Sequence, residues 1–502
     1  MTMTIDRRDL FRAGRGLLAA TAVGTLATNT AIAAEATVET AAGTAVDATA
    51  VPTPLTTRNP LVEQRADPFI TRPVNGMYYL TGSVPEYDRV VVRGAATIDG
   101  LATAKEKTVW RRPSSGKMGG HIWAPELHRI DGRWYIYFAA GDSDNVFRIR
   151  TYVLESTSDD PRADTWVLRG QMVTKWDTFT LDSTTFEHRG KRYFAWAQSE
   201  PGIETNSNLY LAEMASPLAL KGDPVRLAVP TLPWEIQGFK VNEGPAVLIR
   251  NGRVFMTYSA SATDARYCMG LLTADERSDL LDPRSWTKSP QPVFTTNEAT
   301  RQYGPGHNSF TVAEDGRTDV LVYHARDYRD ITGDPLYDPN RHTRVQRLYW
   351  NNDGTPSFGV PVGKGGPCVR LSPLDAPASY VRHYEYRLTV DGDVRELADS
   401  QFRIVAGFRG AGTVALQSVN FPDRYVRVVD GATVRIDPYD ESDAYGRAAS
   451  FTRVPGLADP QAVSFRLLGD AATYLAHDNG RILPFRPGAG VRDRQRVSYR
   501  IS

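Results

Sequence analysis

The chain has 502 residues, a formal charge of +1 and 23% charged side chains. That length suits two or three domains, and the even charge balance leaves no surplus to meet nucleic acid or an anionic membrane surface. Two cysteines, Cys268 and Cys368, exclude a disulfide framework and a multi-cysteine zinc site. They allow one bridge or two separate thiols, and the apolar run around Cys268 favours a buried thiol.

The first 34 residues read as a targeting segment. Arg7-Arg8 precede Leu10-Phe11, an apolar run occupies 17–26, and Ala31-Ile32-Ala33 fits a small-residue cleavage site. The run is too short for a permanent membrane span. A twin arginine before a weakly apolar core has the form of a bacterial Tat-type export signal, an address rather than an anchor; an ordinary Sec signal is the alternative. Either way the mature protein is expected to be secreted, without a membrane anchor. Residues 35–57, rich in Ala, Thr and Val, predict a disordered linker.

From 58 to 366 helical periodicity is nearly absent, apart from one short helix predicted at 273–281. Alternation and aromatic runs dominate, bounded by Gly, Pro and Asn-Gly turns. Residues 241–262 read VNEGPAVLIRNGRVFMTYSASA: two apolar runs about Asn251-Gly252, the strongest short-range hairpin signal, opened by Glu243. The same pattern opens at Asp67, Glu126, Asp182 and His307, at intervals of 56 to 64 residues. A fixed period of that order, with room for about four strands per unit, predicts a five-bladed β-propeller. Chain from near Asn59 is placed to close the ring as an outer strand.

If each opening residue starts the inner strand of its blade, all five converge near the axis. Four are carboxylates, which in one cavity repel and push each other's pKa values apart. Further candidates for the cavity are Trp123 as an apolar wall, Glu86 and Tyr87 on the rim, and His324 and Arg326 at the end of a strand.

The motifs ADP at 66–68, WAPE at 123–126, LDSTTFEHRGKRYF at 181–194, NEGP at 242–245 and GPGHNSF at 304–310 resemble glycoside hydrolase family 43. That family comprises five-bladed propellers, inverting enzymes acting on arabinans and xylans. The resemblance implies Asp67 as general base, Asp182 as the group that orients the acid and tunes its pKa, and Glu243 as general acid. Asp182 is followed by Ser183 where the family usually has Pro. Glu126 stands where the family often has Asp, which makes it a substrate-binding or cavity-shaping group rather than a catalyst. Related propellers hold a calcium on the axis through the histidine matching His307, largely by way of waters. No other cofactor is implied.

Residues 367–502 carry their own repeat: Val369, Val414 and Val463 are each followed eleven residues on by Tyr380, Tyr425 and Tyr474. Three all-β units of about 45 residues predict a β-trefoil. VALQSVNFPDRYVR, RIDPYD and FTRVPGLADP look like the arabinofuranose-binding module of carbohydrate-binding family 42, in which each repeat offers a His and an Asp. On that pattern the first repeat keeps His383 and Asp391, the second keeps Asp437 but has Val428, and the third keeps His477 but has Phe485. The whole is therefore expected to be all-β, a propeller followed by a trefoil, and to act as a monomer on plant cell-wall arabinan or arabinoxylan. The subgroup most resembled, on VPEYDR and NEGP, removes single arabinofuranose units from α-1,5-linked arabinan. Arabinoxylan-debranching enzymes, endo-arabinanases and β-xylosidases share the scaffold, and a secreted arabinan-binding lectin is the non-enzymatic alternative.

Overall fold

The computed structural model describes residues 55–502; the predicted export signal and most of the predicted linker lie outside the described residues. Five antiparallel sheets follow one another, four of four strands and one of three. Their inner strands are Ala66–Ile70, Ile122–Ile130, Thr180–His188, Asn242–Arg250 and Tyr303–Val312, in blades I to V.

The local reason for each blade is legible. In blades I to IV the first hairpin turns on a pair with positive φ: Asn75-Gly76, Asp131-Gly132, Arg189-Gly190 and Asn251-Gly252. Two consecutive left-handed residues make the turn whose twist matches the flanking strands. Residues 273–281 do not form the predicted helix. Thr273 and Ala274 end the strand Cys268–Asp275, pairing with Phe255 and Val254. A turn follows, in which the Asp275 carboxylate accepts from the Arg277 N–H at 2.8 Å. The apolar residues Leu271, Leu272 and Ala274 serve the sheet, and such a short helical segment gains little alone.

The core lies between blades rather than at the axis. Val90, Val92 and Tyr79 of blade I pack on Trp134, Ile136 and Phe138 of blade II. Tyr135, Tyr137 and Val153 of blade II pack on Phe194, Trp196 and Tyr210 of blade III. Blade V packs back on blade I together with Leu55, Leu61 and Val62. The ring closes as anticipated from Asn59: Leu61 N–H donates to Thr343 O at 2.8 Å, and Thr343 N–H returns to Val62 O at 2.9 Å. The side chain of Asn59 donates to Val345 O at 2.7 Å and accepts from Val345 N–H at 2.9 Å, completing the edge of blade V. An edge so covered offers nothing to a second chain.

The C-terminal region is the expected β-trefoil, its strands joined in one twelve-stranded sheet. Its core takes equivalent residues from each repeat: Val381, Val426 and Leu475, and Phe402, Phe451 and Tyr499. It is tied to the propeller through Arg370, whose guanidinium lies over the rings of Tyr380 at 3.4 Å and Tyr349 at 5.3 Å. Arg403 reinforces the junction by donating to the carbonyls of Gly363 and Lys364. Cys268 and Cys368 are free thiols.

Candidate active site

Each inner strand breaks its register near its start. At each break one residue has positive φ: Asp67 51°, Ala124 44°, Asp182 53°, Gly244 55° and His307 41°. Four of these five are not glycine. Non-glycine residues in this region cost of order 1–3 kcal/mol each and persist only where packing imposes them. The bulge re-aims the side chain at the axis. Five such bulges form one ring, which brings residues from distant parts of the chain together.

The ring corrects the register inferred from sequence. Ala124, not Glu126, is the blade II member, and Glu243 sits one residue before its bulge at Gly244. A Cβ at 244 would press on the His307 ring at 3.3 Å, on top of the strain of a positive φ. Glu126 belongs to the next layer along the axis, with Phe69, Thr184, Ala246 and Ser309, and lines a separate cavity of about 500 Å³. It is buried, with its Oε2 2.9 Å from His128 Nε2. It does not face the substrate cavity.

That cavity, about 720 Å³, is lined by Asp67, Asp182 and Glu243 together with Trp123, His307 and Arg341. Phe147 and Phe239, each more than half exposed, stand at its mouth. The three carboxyls are in unlike settings. Asp67 Oδ2 accepts from Ser83 Oγ at 2.6 Å, and its Oδ1 lies 3.2 Å from Arg341 Nη1, 3.3 Å from His307 Nδ1 and 3.4 Å from His324 Nδ1. Burial pushes this carboxyl up, yet Arg341, His307 and His324 together hold it well below the usual carboxylate range. Asp67 is therefore ionised across the working range of pH.

Glu243 is pushed the other way. Burial, reinforced by the negative Asp67, raises it to about 7, against the opposing hydrogen bond from Tyr267 and the charge of Arg341. Tyr267 donates to Glu243 Oε1 at 2.7 Å, and its ring stacks on His324 at 5.7 Å. Asp182 is raised as well, first by burial, then by Glu243 and Asp67, although its Oδ2 accepts from the Gly244 N–H at 3.1 Å. The family resemblance implies that Asp182 tunes the pKa of Glu243. In the structure burial leads in both, and it is Glu243 that raises Asp182 in turn. Burial also holds His324 down at about 3, so it stays neutral.

The remaining sequence candidates divide. Trp123 and His307 line the cavity. Glu86 does not: it is turned to solvent, paired with Arg89 at 3.2 Å. Tyr87 lies behind the wall, buried, donating to Leu336 O at 2.5 Å and accepting from Arg341 Nη2 at 3.0 Å. It therefore steadies Arg341 rather than touching substrate. Arg326 is fully buried and bonds Asp338, Thr263 O and Pro335 O. It ties down the loop that carries Leu336 and Arg341. Arg341 and Tyr267 were not anticipated. Arg341 follows a long irregular connection without periodicity, and Tyr267 precedes a strand as any packing aromatic does.

His307 Nδ1 faces Asp67 at 3.3 Å and Asp182 at 3.6 Å. Among the described residues no group of three or more His, Cys, Asp or Glu side chains could hold a metal ion, so a calcium beside His307 would take most of its six to eight oxygens from water.

In the trefoil, His383 is not paired with Asp391. Its Nε2 lies 2.9 Å from Asn420 Oδ1 and 3.5 Å from Asp399 Oδ1, with Phe421 edge-on at 5.4 Å. Asp391 accepts from Thr389 at 3.1 Å, pairs with Arg382 at 3.7 Å and is half-buried. His477 makes the equivalent contact, with Nδ1 3.0 Å from Asp375. Asp375 and Asn420 are equivalent positions, so each histidine draws its partner from the next repeat. Asp437 is locked between Arg427 at 2.6 Å and Arg435 at 2.7 Å. The positions matching Asp399 hold Ala448 and Arg496, which leaves the His383 pocket as the most complete.

A five-bladed ring with a charged carboxylate and a protonated one facing the same open cavity defines an enzyme that splits bonds by acid–base chemistry. Residues 57–356 match the family described as Glycosyl hydrolases family 43, and the chain belongs to that family. Residues 357–451 match the Alpha-L-arabinofuranosidase B (ABFB) domain. The chain is 52% identical to an extracellular exo-alpha-(1->5)-L-arabinofuranosidase of Streptomyces avermitilis, over 83% of this chain and 87% of that one. It is 51% identical to alpha-L-arabinofuranosidase 43 of Humicola insolens, over 84% and 90%. Among solved structures it resembles the alpha-L-arabinofuranosidase of Lactobacillus brevis, at 56% identity and a TM-score of 0.60, covering 61% of this chain and 98% of that one.

Proposed function

We propose that this protein is a secreted, inverting glycoside hydrolase that releases L-arabinose from the non-reducing ends of α-1,5-linked arabinan or arabino-oligosaccharides. One observation carries the chemistry: Asp67 and Glu243 share a cavity while their pKa values are displaced in opposite directions. Such a split assigns a base and an acid. Asp67, held ionised, takes a proton from water as that water attacks the anomeric carbon. Glu243, protonated up to about pH 7, gives its proton to the leaving oxygen. Asp182, accepting from the Gly244 N–H, fixes the backbone beside the acid. No step is routed through a metal ion.

The substrate class rests on the printed names of relatives about half identical over most of both chains, and on the ABFB match beside the catalytic domain. Secretion by a Tat-type signal in a bacterium, and a monomeric state, belong to the same proposal; among the described residues no helix is long and apolar enough to cross a membrane. The test is product analysis on linear arabinan, arabinoxylan and an aryl xyloside side by side. Free arabinose alone, from linear arabinan, is expected. Longer products would mean an endo-arabinanase, arabinose only from arabinoxylan a debranching enzyme, and xylose a xylosidase. Binding to arabinan without any reducing sugar released would mean a lectin.

A further inference from the structure

Between propeller and trefoil lies a cleft of about 530 Å³, separate from the catalytic cavity. Its walls carry three cations: Arg301 from blade V, Lys364 from the connecting segment and Arg403 from the trefoil. Arg403 spends its bonds on the backbone carbonyls of Gly363 and Lys364, which leaves its charge unneutralised. No carboxylate stands within ion-pair distance of Arg301 or Lys364 among the described residues, and both are exposed. The one acidic side chain in the cleft, Asp327, is already matched by the buried Arg344 at 2.6 Å and by Gln302 at 2.9 Å. Three like charges facing one concave surface focus a positive field there, which a chain of net charge +1 does not require for solubility.

Two further features specify more than an anion. Gln302, 1% exposed on the floor of the cleft, donates through Nε2 but its Oε1 has no partner. It is a buried acceptor beside the cleft with no donor of its own, and an inorganic anion offers none. Ser418, on the trefoil wall, donates to Asn420 Oδ1 at 2.9 Å, the same oxygen that faces His383. One hydrogen bond thus links the cleft wall to the histidine site of the trefoil. A neutral pentose polymer has no charge to set against three cations, whereas a uronate sugar carries both a carboxylate and hydroxyls.

We propose that this cleft binds a uronate-bearing glycan, its carboxylates met by Arg301, Lys364 and Arg403. The site is independent of hydrolysis and goes beyond the activity proposed above. The probe is trigalacturonate, titrated calorimetrically into the full-length protein at low and at physiological salt, with its methyl ester and inorganic sulfate as controls. Binding is expected to weaken with salt, and to weaken about tenfold on methyl esterification. The double variant Arg301→Gln/Lys364→Gln, at exposed positions, is expected to bind about tenfold more weakly while hydrolysing neutral arabino-oligosaccharides at the parent rate. Equal binding of the ester, unchanged binding by the double variant, or sulfate binding as tightly as trigalacturonate would overturn the proposal. So would competitive inhibition of hydrolysis by trigalacturonate, which would place the glycan in the catalytic cavity. Loss of all hydrolytic activity with binding intact would count against the proposed reaction and not against this site.

Discussion

Tyr267→Phe isolates the control of the acid. Tyr267 donates to Glu243 Oε1 at 2.7 Å, and this bond favours the charged carboxylate. A hydrogen bond to a charged group contributes about 1.5–3 kcal/mol, against about 0.5–1.5 kcal/mol for a neutral one. The difference lost on deleting the hydroxyl is therefore about 1–1.5 kcal/mol, or about one pH unit at 1.36 kcal/mol per unit. The direction follows from the same fact: the carboxylate loses support, so the pKa of Glu243 rises above its present value of about 7. The phenyl ring keeps the stack on His324, so the fold survives. The assay is kcat/KM for arabinotriose against pH, which reports the free enzyme. In the parent the rate should fall above about pH 7 as Glu243 loses its proton, while the acid limb should lie below the usual carboxylate range because Asp67 stays ionised. In the variant the alkaline limb should move up by about one unit with the acid limb in place. An alkaline limb that stays put or moves down would refute the assignment of Glu243 as the titrating acid.

Other consequences are equally direct. Asp67→Asn and Glu243→Gln should each lower kcat by about 10²–10⁴, but an aryl arabinofuranoside with a good leaving group should restore turnover only to Glu243→Gln; similar rescue of both would dissolve the division of roles. Asn59→Ala leaves the N–H and C=O of Val345 unpaired in the seal between blade V and the N-terminal segment. At about 1–3 kcal/mol per stranded group it should cost about 2–6 kcal/mol in denaturant unfolding, and a loss under 0.5 kcal/mol would show the seal to be unimportant. His383→Ala should weaken retention on insoluble arabinan more than His477→Ala, with kcat/KM on arabinotriose unchanged; the reverse order would mean that Asp399 and Asn420 do not complete a pocket.

The blades were legible because alternation and Asn-Gly or Asp-Gly turns are local and repeat. Asp67, Asp182 and Glu243 were legible because each opens an inner strand. The register of the ring was not. Glu126 looked equivalent to Asp67 in linear spacing, but the bulge falls at Ala124, and two residues along a strand is a full layer along the axis. Arg341 and Tyr267 set the charge states of the site through contacts across 274 and 24 residues of sequence, for which the sequence holds no local signal, whereas His324 was legible from its place at the end of a strand. In the trefoil the histidines were found, but their partners were sought within the same hairpin. The repeat places them elsewhere: Asn420 comes from the following unit and Asp399 from the turn before the closing strand.

The central claim is that separate bulged strands gather a base and an acid around one glycosidic bond, with water attacking from the face opposite the leaving group. Proton NMR of the first-formed sugar tests it. Hydrolysis of α-linked arabinotriose, followed from the first minutes before mutarotation, should show β-L-arabinofuranose first. Initial appearance of the α-anomer would mean a covalent intermediate on one of these carboxylates, and would contradict the account.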